Sequence, residues 1–218
     1  MQGRYQALGM ESEFEPGSRK RVLRNLLGIC LATDMKAAES NALLVAQNRV
    51  VAQFDVDHRF VAADICELHR TWLGGIYRWA GEYRNVNIAK GDFHFAAAAQ
   101  IPRLMDELEE RQLARHTPCK AGSLNDIAFA LAVVHSELVI IHPFREGNGR
   151  CARLLCLLMA LQAGLPPLDF GALKGGMKRA YIAAIHAAVG SDYEPMRAVF
   201  NVVIKRTLRA YQRNARLS

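Results

Sequence analysis

The sequence predicts an all-α domain that carries one small β-hairpin. Apolar residues recur at helical spacing through most of the chain, Gly and Pro clusters punctuate those runs, and strand character is confined to residues 81–95. Apolar residues make up 51% of the 218 positions, ample for a core and too many for a disordered chain. That length suits one sizeable domain better than two small ones, and neither an internal repeat nor a linker interrupts it.

Taken in order, residues 1–17 read as irregular and end at Pro16-Gly17. Ser18 is the expected cap of a short first helix running to Leu27 and stopping near Gly28. Asp34 caps a second, from Met35 to about Asn48, and Asp57 a third, with Val61, Ile65, Leu68, Trp72 and Leu73 at helical spacing before Gly74-Gly75. Val86 and Ile88, then Lys90-Gly91-Asp92, then Phe93 and Phe95 read as the hairpin. Gln100 to Ala114 is amphipathic, with Ile101, Leu104, Leu108 and Leu113 inward. After a loop over Pro118–Gly122, Ser123 or Asn125 starts a long apolar helix ending near Ile141. A helix from Arg150 to Ala163 is stopped by Gly164-Leu165-Pro166-Pro167. Residues 175–189 form another, Pro195 opens a last one, and a basic tail follows.

Net charge is +7 and the pI about 9.4, with the densest basic stretches at Arg19–Arg24 and Lys205–Arg216. No motif with interleaved aromatics accompanies them, so solvated helix faces are expected and nucleic acid is not the expected partner. Uninterrupted apolar runs stay well short of a membrane span. Acids appear early and no apolar leader segment follows, so a cytoplasmic bacterial protein is expected, with delivery by a route independent of a signal peptide left open. The five cysteines (Cys30, Cys66, Cys119, Cys151, Cys156) are odd in number and lack a C-x-x-C, which indicates neither a disulfide scaffold nor a zinc knuckle. They read as buried small hydrophobes, with Cys151 a weak redox candidate.

Chemistry concentrates in His142-Pro143-Phe144-Arg145-Glu146-Gly147-Asn148-Gly149-Arg150, followed by Arg153. Gly147-Asn148-Gly149 can turn tightly and present successive backbone N–H groups to anionic oxygens. That cradle opens onto a helix N-terminus, itself an anion site. Arg150 and Arg153 lie three apart, a spacing that puts two guanidinium forks on one helix face, suited to phosphate. Glu146 is placed to hold Mg²⁺ with substrate phosphates, and His142 is the side chain suited to accept a proton near neutral pH. Each residue alone has a plainer use: a histidine before proline is commonly structural, Gly-Asn-Gly is commonly a turn, and Glu and Arg near a helix start commonly cap it. Their conjunction at one loop–helix junction, after the apolar run Phe129–Ile141, favours a phosphate-binding catalytic loop.

The segment resembles the signature of the Fic family, H-P-F-x-[D/E]-G-N-G-R-x-x-R, at every defined position from His142 to Arg153. The likeness extends, more loosely, to Ile76–Arg84, similar to the family's segment before its substrate-binding flap, and to Asn87–Phe95, similar to the flap. It also takes in Val22–Gly28 and Ser191–Pro195, so that it covers roughly residues 16 to 205. The resemblance implies a helical domain that transfers AMP from ATP to a Ser, Thr or Tyr hydroxyl of a target protein. His142 would be the base and Glu146 the Mg²⁺ ligand. Gly147, Asn148 and Gly149 would cradle phosphate, with a further contact from the Asn148 side chain, and Arg150 and Arg153 would bind the outer phosphates. Phe144 would anchor the loop in the core and Pro143 stiffen it. Asn87, Ile88, Ala89, Gly91, Asp92 and Phe93 would dock an extended piece of the target by strand addition, with Lys90 reaching phosphate. Tyr181 and Tyr193 are candidate borders of the adenine.

Many members of that family are restrained by a helix bearing [S/T]-x-x-x-E-[G/N], whose Glu pairs with the second arginine, here Arg153. This chain lacks the pattern: Glu39 is followed by Ser40, and Met35 stands four before it. The departure implies either an unrestrained enzyme or inhibition by a separate small protein, an antitoxin to this chain's toxin. The resemblance then points to ATPase subunits of type II topoisomerases as targets, and to host GTPases for secreted members. Phosphotransfer and phosphocholine transfer occur on the same fold, but the phosphotransferase-like members carry Lys where this chain has Gly149. AMP removal is tied to the inhibitory Glu missing here. A catalytically idle nucleic-acid or protein binding module has no need of His142 and Glu146.

Overall fold

A computed structural model describes residue 11 and residues 13–120 and 122–215. Its helices are α1 (Ala32–Gln53), α2 (Ala62–Leu73), α3 (Ile101–Leu108), α4 (Ala114–His116), α5 (Leu124–Ile141), α6 (Asn148–Gln162), α7 (Gly175–Ala188) and α8 (Glu194–Ala215). Strands β1 (Ala89–Lys90) and β2 (Phe93–His94) make an antiparallel hairpin, with Ala89 opposite His94 and Lys90 opposite Phe93. The fold is all-α with a two-stranded flap, as the sequence predicts.

Several elements differ from expectation; Asp34, for one, lies within the first turn of α1 instead of capping it. No helix spans Ser18–Leu27; the segment is turns, with an isolated bridge between Phe14 and Leu23. Asn25 explains this, because its side chain replaces helical bonds: Nδ2 donates to Leu23 O and Ile29 O, while Oδ1 accepts from the Leu27 and Ile29 N–H groups. Asp57 caps nothing. Thr117 Oγ1 accepts the Phe60 N–H (3.0 Å), Arg59 donates to Ala114 O (2.8 Å), and α2 starts only at Ala62. The basic C-terminal stretch is helical as far as Ala215, and its last residues lie outside those described, as does most of the irregular N-terminal segment.

The amphipathic run after the hairpin holds together through a π turn over Glu109–Leu113. From Leu108 to Leu113 is five residues, and a π turn keeps both on the buried face where an α-helix would not. Met105 rather than Leu104 is fully buried there.

The chain divides into two compact units, one of Met1–Gln53, Ala62–Asp106 and Ile141–Cys151, the other of Phe54–Val61, Glu107–Ile140 and Ala152–Ser218. In the first, α1 packs on α2, and Met35, Ala46, Trp72, Leu73, Ile76 and Tyr77 form a common core. In the second, α7 pairs with α8. Its buried positions include Leu131, Val134 and Leu138 of α5, Leu155 and Met159 of α6, and Phe200 and Val203 of α8. By length and composition alone α5 is apolar enough to cross a membrane; 67% of it is buried, as in a core helix.

Candidate active site

The chain leaves α5 at Ile141 and turns at once, because His142 adopts φ +54°, a left-handed conformation uncommon for a non-glycine residue. Buried Arg84 holds it there. Its Nε donates to His142 O (2.7 Å), its Nη2 to Ala96 O (2.6 Å) and Ile141 O (3.4 Å), and its Nη1 to Val86 O. The Arg84 backbone N–H donates to Pro143 O (2.8 Å). Burial pulls the Arg84 pKa down to about 10, so the guanidinium stays charged at neutral pH and every one of those carbonyls is partnered.

The rest of the loop is latched from inside. Asn148 Oδ1 accepts the Phe144 N–H (2.8 Å) and Nδ2 donates to Phe144 O (2.7 Å). The Asn148 amide is therefore committed to the loop backbone rather than turned outward to phosphate. Phe144 is fully buried, as expected, and its ring stacks on His69 at 3.9 Å between centroids. His69 Nδ1 accepts the Gly81 N–H (2.8 Å), which leaves the ring proton on Nε2 to donate to Glu146 O (3.0 Å). Burial lowers the His69 pKa to about 4, so the ring is neutral and serves as a strut. Gly147 takes φ +82°, and a Cβ there would stand 2.7 Å from the Trp72 ring, so a side chain is excluded by backbone and space alike.

Within α6, the Arg150 and Cys151 N–H groups both bond to Gly147 O (2.9 Å each). The Asn148 and Gly149 N–H groups head the helix without an acceptor among the described residues, and form the donor pair of an anion site. Arg150 Nη2 lies 2.7 Å from Glu39 Oε2 and 3.4 Å from Glu146 Oε1, with its guanidinium 4.6 Å from the centre of the Trp72 ring. Glu39 is buried, and Tyr77 Oη donates to its Oε1 (2.8 Å). The carboxylate set aside for want of a regulatory pattern thus does meet the motif, at its first arginine. Glu146 is the exposed acid of the loop, and its Oε1 accepts the Gly147 N–H (2.9 Å).

Cys151 is fully buried, and burial raises its thiol far above the usual range, so it is a packing residue and not a redox centre. In the second unit, the Arg153 guanidinium lies 5.9 Å from the Phe170 ring centre. The Tyr181 hydroxyl is 3.2 Å from His135 Nε2, and the Tyr193 hydroxyl donates to Glu137, so both candidate adenine-bordering residues have their polar ends engaged in that unit.

In the hairpin Gly91 takes φ +62° at the turn, and Lys90, Gly91 and Asp92 are exposed. Asn87 Oδ1 accepts the Ala98 N–H (2.8 Å), and the Phe95 N–H donates to Ile88 O (3.2 Å). Phe95 then lays its ring on His142, with centroids 3.6 Å apart and planes inclined by 20°. Sequence reasoning assigned no part in the site to Arg84 or His69, set Glu39 aside, and read Phe95 only as a hairpin residue. A buried arginine reads like any surface arginine, and a histidine in an apolar helix pattern reads as filler; only the backbone groups they meet reveal them.

Residues 59–160 match the Fic/DOC family. Those residues are a Fic/DOC domain. Relatives include protein adenylyltransferase VbhT of Bartonella schoenbuchensis, 31% identical over 148 residues, or 66% of this chain and 30% of the relative. Protein adenylyltransferase Fic of Nematostella vectensis is 32% identical over 149 residues, 68% of this chain and 33% of the relative. The chain thus spans about a third of the length of these curated relatives. Among solved structures, the BepC effector of Bartonella tribocorum with bound AMPPNP shares the fold at TM-score 0.70 and 23% identity, covering 89% of this chain and 97% of that one. The Fic domain of a VirB-translocated effector from Bartonella sp. AR 15-3 does so at TM-score 0.72 and 21% identity, covering 92% and 94%.

Proposed function

We propose that this Fic chain is a protein adenylyltransferase, moving AMP from ATP to a hydroxyl of a target protein. The observation that carries the reading is His142 pinned in the same short segment as Arg150 and the Asn148 and Gly149 N–H groups, which have no acceptor among the described residues, a base and an anion cradle within nine residues. The adenylyltransferase names of its relatives agree with it.

In this reading the target hydroxyl loses its proton to His142 as its oxygen attacks the α-phosphorus. The bond from that phosphorus to the bridging oxygen breaks and pyrophosphate leaves. The Asn148 and Gly149 N–H groups hold phosphate oxygens, and Arg150 balances charge on the leaving side. Arg153, one turn on in α6, is assigned to the outer phosphates on the sequence pattern, and Lys90 to an auxiliary phosphate contact. The flap residues Asn87, Ile88, Ala89, Gly91, Asp92 and Phe93 offer short strand edges to an extended target.

Mg²⁺ fits here as an ion shared between protein and nucleotide. Among the described residues no group of three His, Cys, Asp or Glu is gathered to hold a metal, whereas exposed Glu146 at the cradle supplies the single carboxylate such an ion needs. Bound there, Mg²⁺ would offset phosphate charge. A separate inhibitory partner, and with it a toxin–antitoxin setting in the bacterial cytoplasm, is part of the proposal, since Glu39 stands outside the [S/T]-x-x-x-E-[G/N] pattern, with Met35 four before it and Ser40 after it.

The test is incubation in cell extract with Mg²⁺ and ATP labelled at the α or the γ phosphate, beside His142→Ala. Label reaching a protein only from the α position, and lost in the variant, is the expected result. Label only from the γ position would make the chain a phosphotransferase, and none from either would leave a restrained enzyme or a binding module.

A further inference from the structure

The flap and the base are joined by two separate contacts. Phe95, the first residue after β2, covers His142 ring on ring at 3.6 Å, and the Phe93 ring meets Phe95 edge-on at 5.0 Å. Phe95 is placed by the N–H bond it donates to Ile88 O across the base of the hairpin (3.2 Å). The next carbonyl, Ala96 O, is held by the same Arg84 guanidinium that holds His142 O, at 2.6 and 2.7 Å. The His142 backbone is therefore fixed from below the flap, and its ring from the flap itself.

We propose that Phe95 is the positioning residue for His142, and that it couples occupancy of the flap to readiness of the base. The proposal rests on the adenylyl-transfer reading above. A ring so stacked loses rotational freedom about its side-chain bonds, which keeps the accepting nitrogen aimed at one place. Once His142 has taken the proton, the aromatic face also favours the imidazolium, as ring faces favour cations generally. A hairpin of two residue pairs is marginal on its own, so the stacked ring is only as steady as the flap. A target strand added to either edge extends the ladder, steadies Phe95 and so steadies the base. The target would thus help to build the catalytic geometry that modifies it.

The experiment uses the whole chain as wild type, Phe95→Leu and Phe95→Tyr. Initial rates of label transfer from α-labelled ATP to extract protein are measured against ATP concentration. In parallel, the His142 ring protons are followed by NMR and assigned by their loss in His142→Gln. Leu keeps the site apolar but removes the aromatic face; Tyr keeps the face. We expect Phe95→Leu to lower the maximal rate about tenfold or more while the KM for ATP stays within about twofold, and Phe95→Tyr to retain most of the rate. His142 ring protons shifted upfield in wild type and Phe95→Tyr should return toward ordinary positions in Phe95→Leu. An unchanged rate in Phe95→Leu, or a rise in KM alone, overturns the proposal, as does an unchanged His142 spectrum. Should wild type transfer no α label, the adenylyl-transfer reading fails, and the spectrum alone then decides for or against the stacked pairing.

Discussion

Residues 142–150, a loop running into the first turn of α6, and residues 87–97, the flap, belong to one compact unit, and they are held in different ways. In the catalytic loop, buried side chains from outside it or from its own far end partner the carbonyls of His142, Phe144 and Glu146. The flap between its two anchored ends has two strand pairs, and most of its residues are partly or fully exposed. Arg84 belongs to both, because it fixes the loop at His142 and the flap only at its ends, Val86 and Ala96. The difference matches two tasks. Transferring a charged group requires donors already in place, whereas accepting an extended peptide requires an edge that can adapt.

The sharpest way to break the contrast is to remove the part the two regions share. Arg84→Met would strand several buried carbonyls and should cost on the order of 4 kcal/mol, seen as a large drop in urea midpoint together with loss of label transfer. A midpoint close to wild type would show that the clamp is not what holds the loop. Gly147→Ala attacks the loop alone, by forcing a side chain into a left-handed residue against Trp72, and should cost about 3 kcal/mol in the same measurement.

His69 makes the loop sensitive to pH. Its pKa is about 4 in the folded chain against 6.5 for an ordinary histidine, so the unfolded chain binds the extra proton between those values. Its contribution is complete above pH 6.5 and is lost as pH falls toward 4, up to about 3 kcal/mol. Thermal melts of wild type and His69→Gln should converge as pH is lowered through that window, and parallel curves would contradict the assignment. The smallest effect belongs to the flap. Lys90→Ala should leave stability within about 0.5 kcal/mol of wild type while weakening transfer at limiting ATP, read from a stability curve and a KM for ATP. A stability loss comparable to that of Gly147→Ala would erase the distinction between the regions.

How much of this was legible in the sequence depends on the range of the interactions. The long apolar runs that became α5 and α6, and the hairpin around Lys90-Gly91-Asp92, are local patterns and read correctly. So did the anchoring of Phe144 and the left-handed turn at Gly147, which glycine alone suggests. The absence of a helix at Ser18–Leu27 did not, because one asparagine with several backbone partners outweighs the local propensity of its neighbours. The partners of Glu39, His69, Arg84 and Phe95 stayed hidden for a different reason: each meets a group far away along the chain, and residue type alone does not carry that address.

Amide hydrogen exchange of the whole chain, with and without Mg²⁺ and ATP, compares the two regions in one experiment. The account predicts strong protection at Phe144, Arg150 and Cys151 in the free protein and fast exchange across residues 89–94. It predicts new protection at Asn148 and Gly149 when nucleotide is added. A loop that exchanges as fast as the flap, or Asn148 and Gly149 amides indifferent to ATP, would contradict it.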